Sequence, residues 1–131
     1  MDAFDADVLI YAAAPDHPFG RQVRDVILHA ADECIGSVLL LPELLVKPIR
    51  DSLDDEARQL ESLISRLTLL PVDEETARVA VALGAKYNLR AADSVHLATA
   101  AVAGADRFVT NNRDDFRKAI VEVDVVYPDE L

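Results

Sequence analysis

Four short apolar runs, spaced by amphipathic segments, constrain this chain more than any other feature. CIGSVLLL, LTLLPV, DRFVT and VDVVYP are rich in aliphatic and β-branched residues and read as buried strands. Between them lie helical patterns. DHPFGRQVRDVILHAADE places Phe19, Val23, Val26 and Ile27 on one helical stripe. LDDEARQLESLISRL is amphipathic in the same way. DEETARVAVALGAKYN opens with Asp73, a fitting N-cap, and carries acids in its first turn, where they suit the helix dipole. RAADSVHLATAAVAGA is Ala-rich and ends at Gly104, a natural C-cap. Strands alternating with helices predict an α/β fold, with a mainly parallel sheet covered on both faces. The opening stretch DAFDADVLIYAAA leaves two options. Either VLIY is a strand, or AFD is a short strand and Asp7 caps a helix running to Ala14.

No repeat, low-complexity tract or linker divides the sequence, so its 131 residues are expected to form one domain over 1–131, large enough to build its own core. Apolar residues make up 51%, which excludes a disordered segment. The single cysteine, Cys34, offers neither a disulfide framework nor a zinc cluster. The acidic start lacks the basic region of a secretory signal, and no apolar run suits a bilayer span. A soluble cytoplasmic protein, with no membrane partner, is the expectation. The net charge of −11 repels nucleic acid at long range and suits a basic protein partner.

In an open parallel sheet, ligands bind beyond the C-terminal ends of the strands. Acids recur there. Asp5 follows the first strand. Glu43 follows Pro42 in the first turn of the next helix. Asp93 stands near the start of the Ala-rich helix, and Asn111, Asn112, Arg113, Asp114 and Asp115 follow RFVT. Bland roles are available to each: Glu43 complements a dipole, Asp7 is a cap, Asp114 is a solvated turn residue, and Arg90 pairs with Asp93. Asp93 is the hardest to explain that way, because its neighbours predict close packing. If the acids do meet, two unit charges 4 Å apart repel by about 4 kcal/mol at an effective dielectric near 20. A divalent cation relieves that conflict. Oxygen donors without a Cys or His cluster point to Mg²⁺ or Mn²⁺. Such an ion activates water and stabilises displacement at phosphorus.

Together, DADVLIYAAA, LPELLVKPIR, LRAADSVHLATA and RFVTNNRDDF resemble the PIN domain, in its VapC toxin-like branch, nearly end to end. LRAADSVHLATA is the most specific of the four. The resemblance implies a three-layer α/β/α PIN-like fold with a central, mainly parallel sheet, and a helical VLIYAA. It also implies Mg²⁺- or Mn²⁺-dependent endoribonuclease activity and a homodimer. The family's three leading acids match Asp5, Glu43 and Asp93, with Asp5 and Asp93 corresponding to the metal-binding pair. The fourth acid is replaced: two residues after Thr110 stands Asn112, which offers a carbonyl oxygen but no charge. Asp115, just before Phe116, matches a less constant acid. His96, three residues after Asp93, reads as a packed, hydrogen-bonded histidine. Thr110 either bonds a ligand or finishes its strand. Lys47, Arg50, Arg90, Arg113, Arg117 and Lys118 are candidates to line an RNA path, and each alone reads as a surface charge.

The expectation is a metal-dependent endoribonuclease, the toxin of a type II (VapBC-like) toxin–antitoxin pair, with RNA as substrate and an antitoxin as partner. Asp5 and Asp93 bind the ion, Glu43 positions the ion or the attacking water, and Asn112 completes the site weakly. The alternatives are a non-toxin PIN nuclease in RNA processing, a catalytically weak PIN fold acting as a protein-binding module, and a metal-dependent phosphatase on another α/β fold.

Overall fold

The computed structural model describes residues 1–131. Strands alternate with pairs of helices as far as the fourth strand, which the fifth follows directly. Strand β1 (Asp2–Phe4) leads into helices α1 (Ala6–Ala13) and α2 (Gly20–Leu28). Strand β2 (Cys34–Ser37) precedes α3 (Leu40–Arg50) and α4 (Asp54–Ile64). Then come β3 (Thr68–Leu70), α5 (Glu74–Tyr87), α6 (Ala91–Ala103), β4 (Arg107–Val109), β5 (Asp124–Val126) and a 3₁₀ turn over Pro128–Glu130. The five strands lie in the order β3-β2-β1-β4-β5, and every pairing is parallel. No helix is long and apolar enough to cross a membrane.

Period-two alternation along the short strands feeds two cores. Phe4, Cys34 and Val109 face one layer, where they pack with residues of α1–α4 such as Leu9, Val23, Leu44 and Leu60. Ala3, Ile35, Phe108 and Val125 face the other, against Leu83 of α5 and Leu97, Ala98 and Ala100 of α6. Helices on both faces of a parallel sheet make the three-layer α/β/α arrangement expected from the sequence.

Local chemistry sets the element ends. Asp73 caps α5 by accepting the Thr76 amide hydrogen at 2.8 Å. Gly104 ends α6 with φ +72°, a left-handed turn that suits glycine. Gly84 lets α5 approach α6 closely, since a Cβ there would lie 2.5 Å from Ser94 Oγ. Two boundaries differ from expectation. The apolar run CIGSVLLL is strand only to Ser37. Ser37 Oγ then accepts the Leu39 amide hydrogen at 3.1 Å, and the chain turns into α3 at Leu40, two residues before Pro42. At the start, AFD closes the strand and VLIYAA is helix, but the cap is Asp5 rather than Asp7.

Candidate functional site

The chain passes from β1 into α1 at Asp5, in the middle of the sheet, so this carboxylate stands at the C-terminal strand edge at a helix N-terminus. It is buried, with only 4% of its surface exposed. Its two oxygens are held separately. Oδ1 accepts the Ala6 amide hydrogen at 2.8 Å, and Oδ2 accepts the Thr110 hydroxyl at 2.8 Å. Thr110 is itself fully buried and accepts the Asn112 amide hydrogen at 3.1 Å. The hydroxyl thus serves Asp5 directly, which neither sequence reading of Thr110 contained. Burial pushes the Asp5 carboxyl above its ordinary range, against the nearby His96 charge and the two hydrogen bonds, while Glu43 adds to the rise.

Asp7, read from sequence as a cap, belongs to the same group. Its carboxylate accepts the Asn111 amide hydrogen at 3.1 Å, which ties α1 to the segment after β4. Burial, then the charges of Asp5 and Asp93, push its pKa up to about 7. Asp93 stands in the first turn of α6, half-buried and without a salt-bridge partner. The simple pairing with Arg90 is not formed; Arg90 is exposed and precedes the helix as its N-cap. The Asp93 carboxyl is also pushed up, by burial and then by Asp5 and Asp115, with Glu43 contributing and His96 opposing. Asp5, Asp7 and Asp93 therefore sense one another across more than half the sequence.

Glu43, in the first turn of α3, reaches His96 on α6: Oε1 lies 2.7 Å from Nε2. The histidine ring is 1% exposed, and its other nitrogen, Nδ1, has no partner. Burial disfavours the charged ring, but the hydrogen bond to Glu43 and the charges of Asp5, Glu43 and Asp93 outweigh it, so the His96 pKa is raised. The expectation of a packed, hydrogen-bonded histidine holds for one nitrogen only. Leaving a buried polar atom unpaired costs about 1–3 kcal/mol.

The turn after β4 is pinned from below. Phe116 is fully buried edge-on to Phe108, with ring centroids 5.0 Å apart, and its amide hydrogen goes to the Asn112 carbonyl at 2.9 Å. Asn112 is bonded within its own turn. Its Nδ2 donates to Asp115 Oδ2 at 2.9 Å, and Asp115 in turn bears on Asp93. Asp114 is exposed, as a solvated turn residue should be. Of the candidate cations, Arg50 pairs with Asp51, Arg113 with Asp129 and Lys118 with Glu130.

The donor set is one of carboxylate oxygens, with the only nearby imidazole engaged by Glu43. Three carboxyls driven toward protonation by burial and mutual repulsion fit a hard divalent cation, which would remove the conflict. As the side chains stand, no three His, Cys, Asp or Glu residues are grouped to chelate an ion.

The family model for the PIN domain matches residues 3–121. No curated protein matches the chain. Among solved structures, a chain of a toxin–antitoxin complex from Klebsiella pneumoniae is similar, with a TM-score of 0.79 and 22% identity over 100% of both chains. A chain of VapBC2 from Rickettsia felis, bound to a DNA fragment from their promoter, is similar with a TM-score of 0.76 and 17% identity, over 96% of this chain and 97% of that one.

Proposed function

This chain belongs to the PIN domain family, and from that premise we propose that it is a metal-dependent endoribonuclease, acting as the toxin of a VapBC-like toxin–antitoxin pair. The observation that carries the reading is the meeting of Asp5, Asp7 and Asp93 at one strand edge with their carboxyls all pushed up. A structural cluster would have basic partners; this one has a single imidazole. The likeness to chains of toxin–antitoxin complexes supports the toxin assignment and an antitoxin partner. The net charge of −11 supports a partner with a basic segment, because complementary fields speed encounter. A single domain over 1–131 and a homodimer complete the proposal.

Mg²⁺ or Mn²⁺, held by Asp5 and Asp93, would supply charge to neutralise a phosphodiester and lower the pKa of a bound water. The protein's own groups do the positioning. Thr110 and the Ala6 amide fix the two oxygens of Asp5 in one orientation. Asp93 presents a carboxylate free of other partners. Glu43, set beside His96, would position the ion or the attacking water. Asn112 acts at one remove, by holding Asp115.

Cleavage of single-stranded or structured RNA by purified protein tests this reading. Activity is expected with Mg²⁺ or Mn²⁺ and is expected to stop with chelator. Asp5→Asn and Asp93→Asn should each abolish it while leaving the fold intact by circular dichroism. RNA cleavage by the double variant at the wild-type rate, in a preparation free of other nucleases, would overturn the mechanism.

A further inference from the structure

We propose that His96 is the positioning residue for Glu43, fixing its carboxylate at the rim of the acidic cluster. The inference rests on the nuclease reading and assigns a role to a residue that reading leaves idle. Glu43 is poorly determined by its own helix. It lies in the first turn of α3, whose N-cap Leu39 makes no side-chain capping bond, and the residue is exposed. A glutamate there has three side-chain torsions to restrain. Its one side-chain hydrogen bond is to His96 Nε2, at 2.7 Å.

His96 is suited to the task. Its ring is buried, in a helix whose Leu97, Ala98 and Ala100 are buried too, so it has little freedom to follow a moving partner. It stands one helical turn beyond Asp93 and therefore projects toward the same rim. A histidine kept only for packing would be expected to satisfy both nitrogens or to be replaced by an apolar residue of like volume. Here Nδ1 has no partner, and the ring's single polar connection runs to Glu43. The bond also joins α3 to α6, so the two acids Glu43 and Asp93 are set from one helix.

The test compares His96→Leu, His96→Gln, Glu43→Gln and the double variant His96→Leu/Glu43→Gln. Mn²⁺ binding to the protein without RNA is measured by calorimetry, alongside kcat and KM for RNA cleavage. Groups that orient a metal site through another residue are typically worth roughly 10- to 100-fold. His96→Leu is therefore expected to lower kcat by at least about 10-fold with little change in KM, and to weaken Mn²⁺ binding in the same direction as Glu43→Gln. His96→Gln keeps an N–H donor and should recover part of both losses. The double variant should be no worse than Glu43→Gln alone, because the histidine acts only through the glutamate.

Wild-type behaviour in His96→Leu, or losses that multiply in the double variant, would overturn the positioning role. So would equal losses in His96→Leu and His96→Gln that track a fall in Tm. A wild-type protein that neither binds Mn²⁺ nor cleaves RNA refutes the nuclease reading itself, and the positioning role falls with it. Failure of the present inference alone requires a wild type that does both.

Discussion

Asp7→Asn is expected to stabilise the metal-free protein at neutral pH. In the unfolded chain this carboxyl titrates near its ordinary value of 3.8; in the folded protein burial and the charges of Asp5 and Asp93 raise it to about 7. The folded state therefore holds the proton more tightly. Its contribution to stability is fully present below about pH 4 and is lost as pH rises toward 7. At about 1.4 kcal/mol per pH unit, the whole rise corresponds to an upper bound of about 4 kcal/mol. Water and side-chain relaxation around a half-buried carboxylate reduce that, so about 2 kcal/mol is the working expectation. Asparagine keeps an oxygen to accept the Asn111 amide hydrogen, so the tie between α1 and the segment after β4 survives. Urea unfolding in chelator, run from about pH 4 to about pH 7.5, measures the difference between variant and wild type. That difference should be small at the acid end and grow to about 2 kcal/mol in favour of asparagine at the neutral end. Mg²⁺ should narrow it by stabilising the wild type. A difference independent of pH, or an asparagine variant less stable at neutral pH, would refute the argument that Asp7 is repelled by the cluster.

Three further outcomes are expected. Thr110→Val removes the hydroxyl that donates to Asp5 and accepts from Asn112; chemical denaturation should show a loss of about 1.5–3 kcal/mol, and a loss under about 0.5 kcal/mol would mean that Asp5 finds another donor. Gly84→Ala places a methyl 2.5 Å from Ser94 Oγ and should lower stability by about 1–3 kcal/mol, with Ser94→Ala in the same chain recovering most of it. The Tyr87 hydroxyl, followed by Lys86, holds the Glu122 carboxyl down to about 2, a contribution present above its ordinary 4.5 and lost as pH falls toward 2. Tyr87→Phe should therefore raise the Glu122 pKa in an NMR titration and move acid unfolding to higher pH; an unchanged titration would show that the hydroxyl does not bind there.

Much of the architecture was legible because local signals agreed with the global fold. Asp73 capped α5, Gly104 closed α6, and RFVT and VDVV became the adjacent strands β4 and β5. The apolar run CIGSVLLL misled because four aliphatic residues in a row carry neither a period of two nor one of 3.6. Only the Ser37 hydroxyl, by turning the chain, separates strand from helix there. Asp5 and Glu43 could be nominated by the rule that polar residues follow parallel strands; Asp93, which follows α5 and no strand, stood out because its Ala-rich neighbours predicted close packing. Asp7 could not be judged from sequence. Its local context is that of any helix first turn, and the group that makes it part of the cluster, the Asn111 amide, lies 104 residues away. The His96–Glu43 bond was equally invisible, although His96 fell among the buried residues of α6, one turn beyond Asp93. Spacing brings neighbours together on one helix, but it says nothing about which residue of another helix arrives opposite.

Asn112 and Asp7 are best understood together. The sequence suggests a site short of one charge, because an amide stands where the family has an acid. In the folded chain the amide is a donor, and its target is Asp115 at 2.9 Å. An aspartate at 112 would instead face Asp115 with a like charge, and Asp115 already bears on Asp93. Repulsion of that kind drives at least one carboxyl to take up a proton. Asn112 thus holds Asp115 by a hydrogen bond and adds no like charge beside it, while Asp7, from α1, bears on Asp5 and Asp93. Beside the Ala6 amide, the hydrogen-bond donors that steady the cluster come from the turn after β4: the Thr110 hydroxyl, the Asn111 amide and the Asn112 side chain. Each of the donors from the turn acts on a different acid: Asp5 and Asp7 come from the start of the chain, and Asp115 from the turn itself.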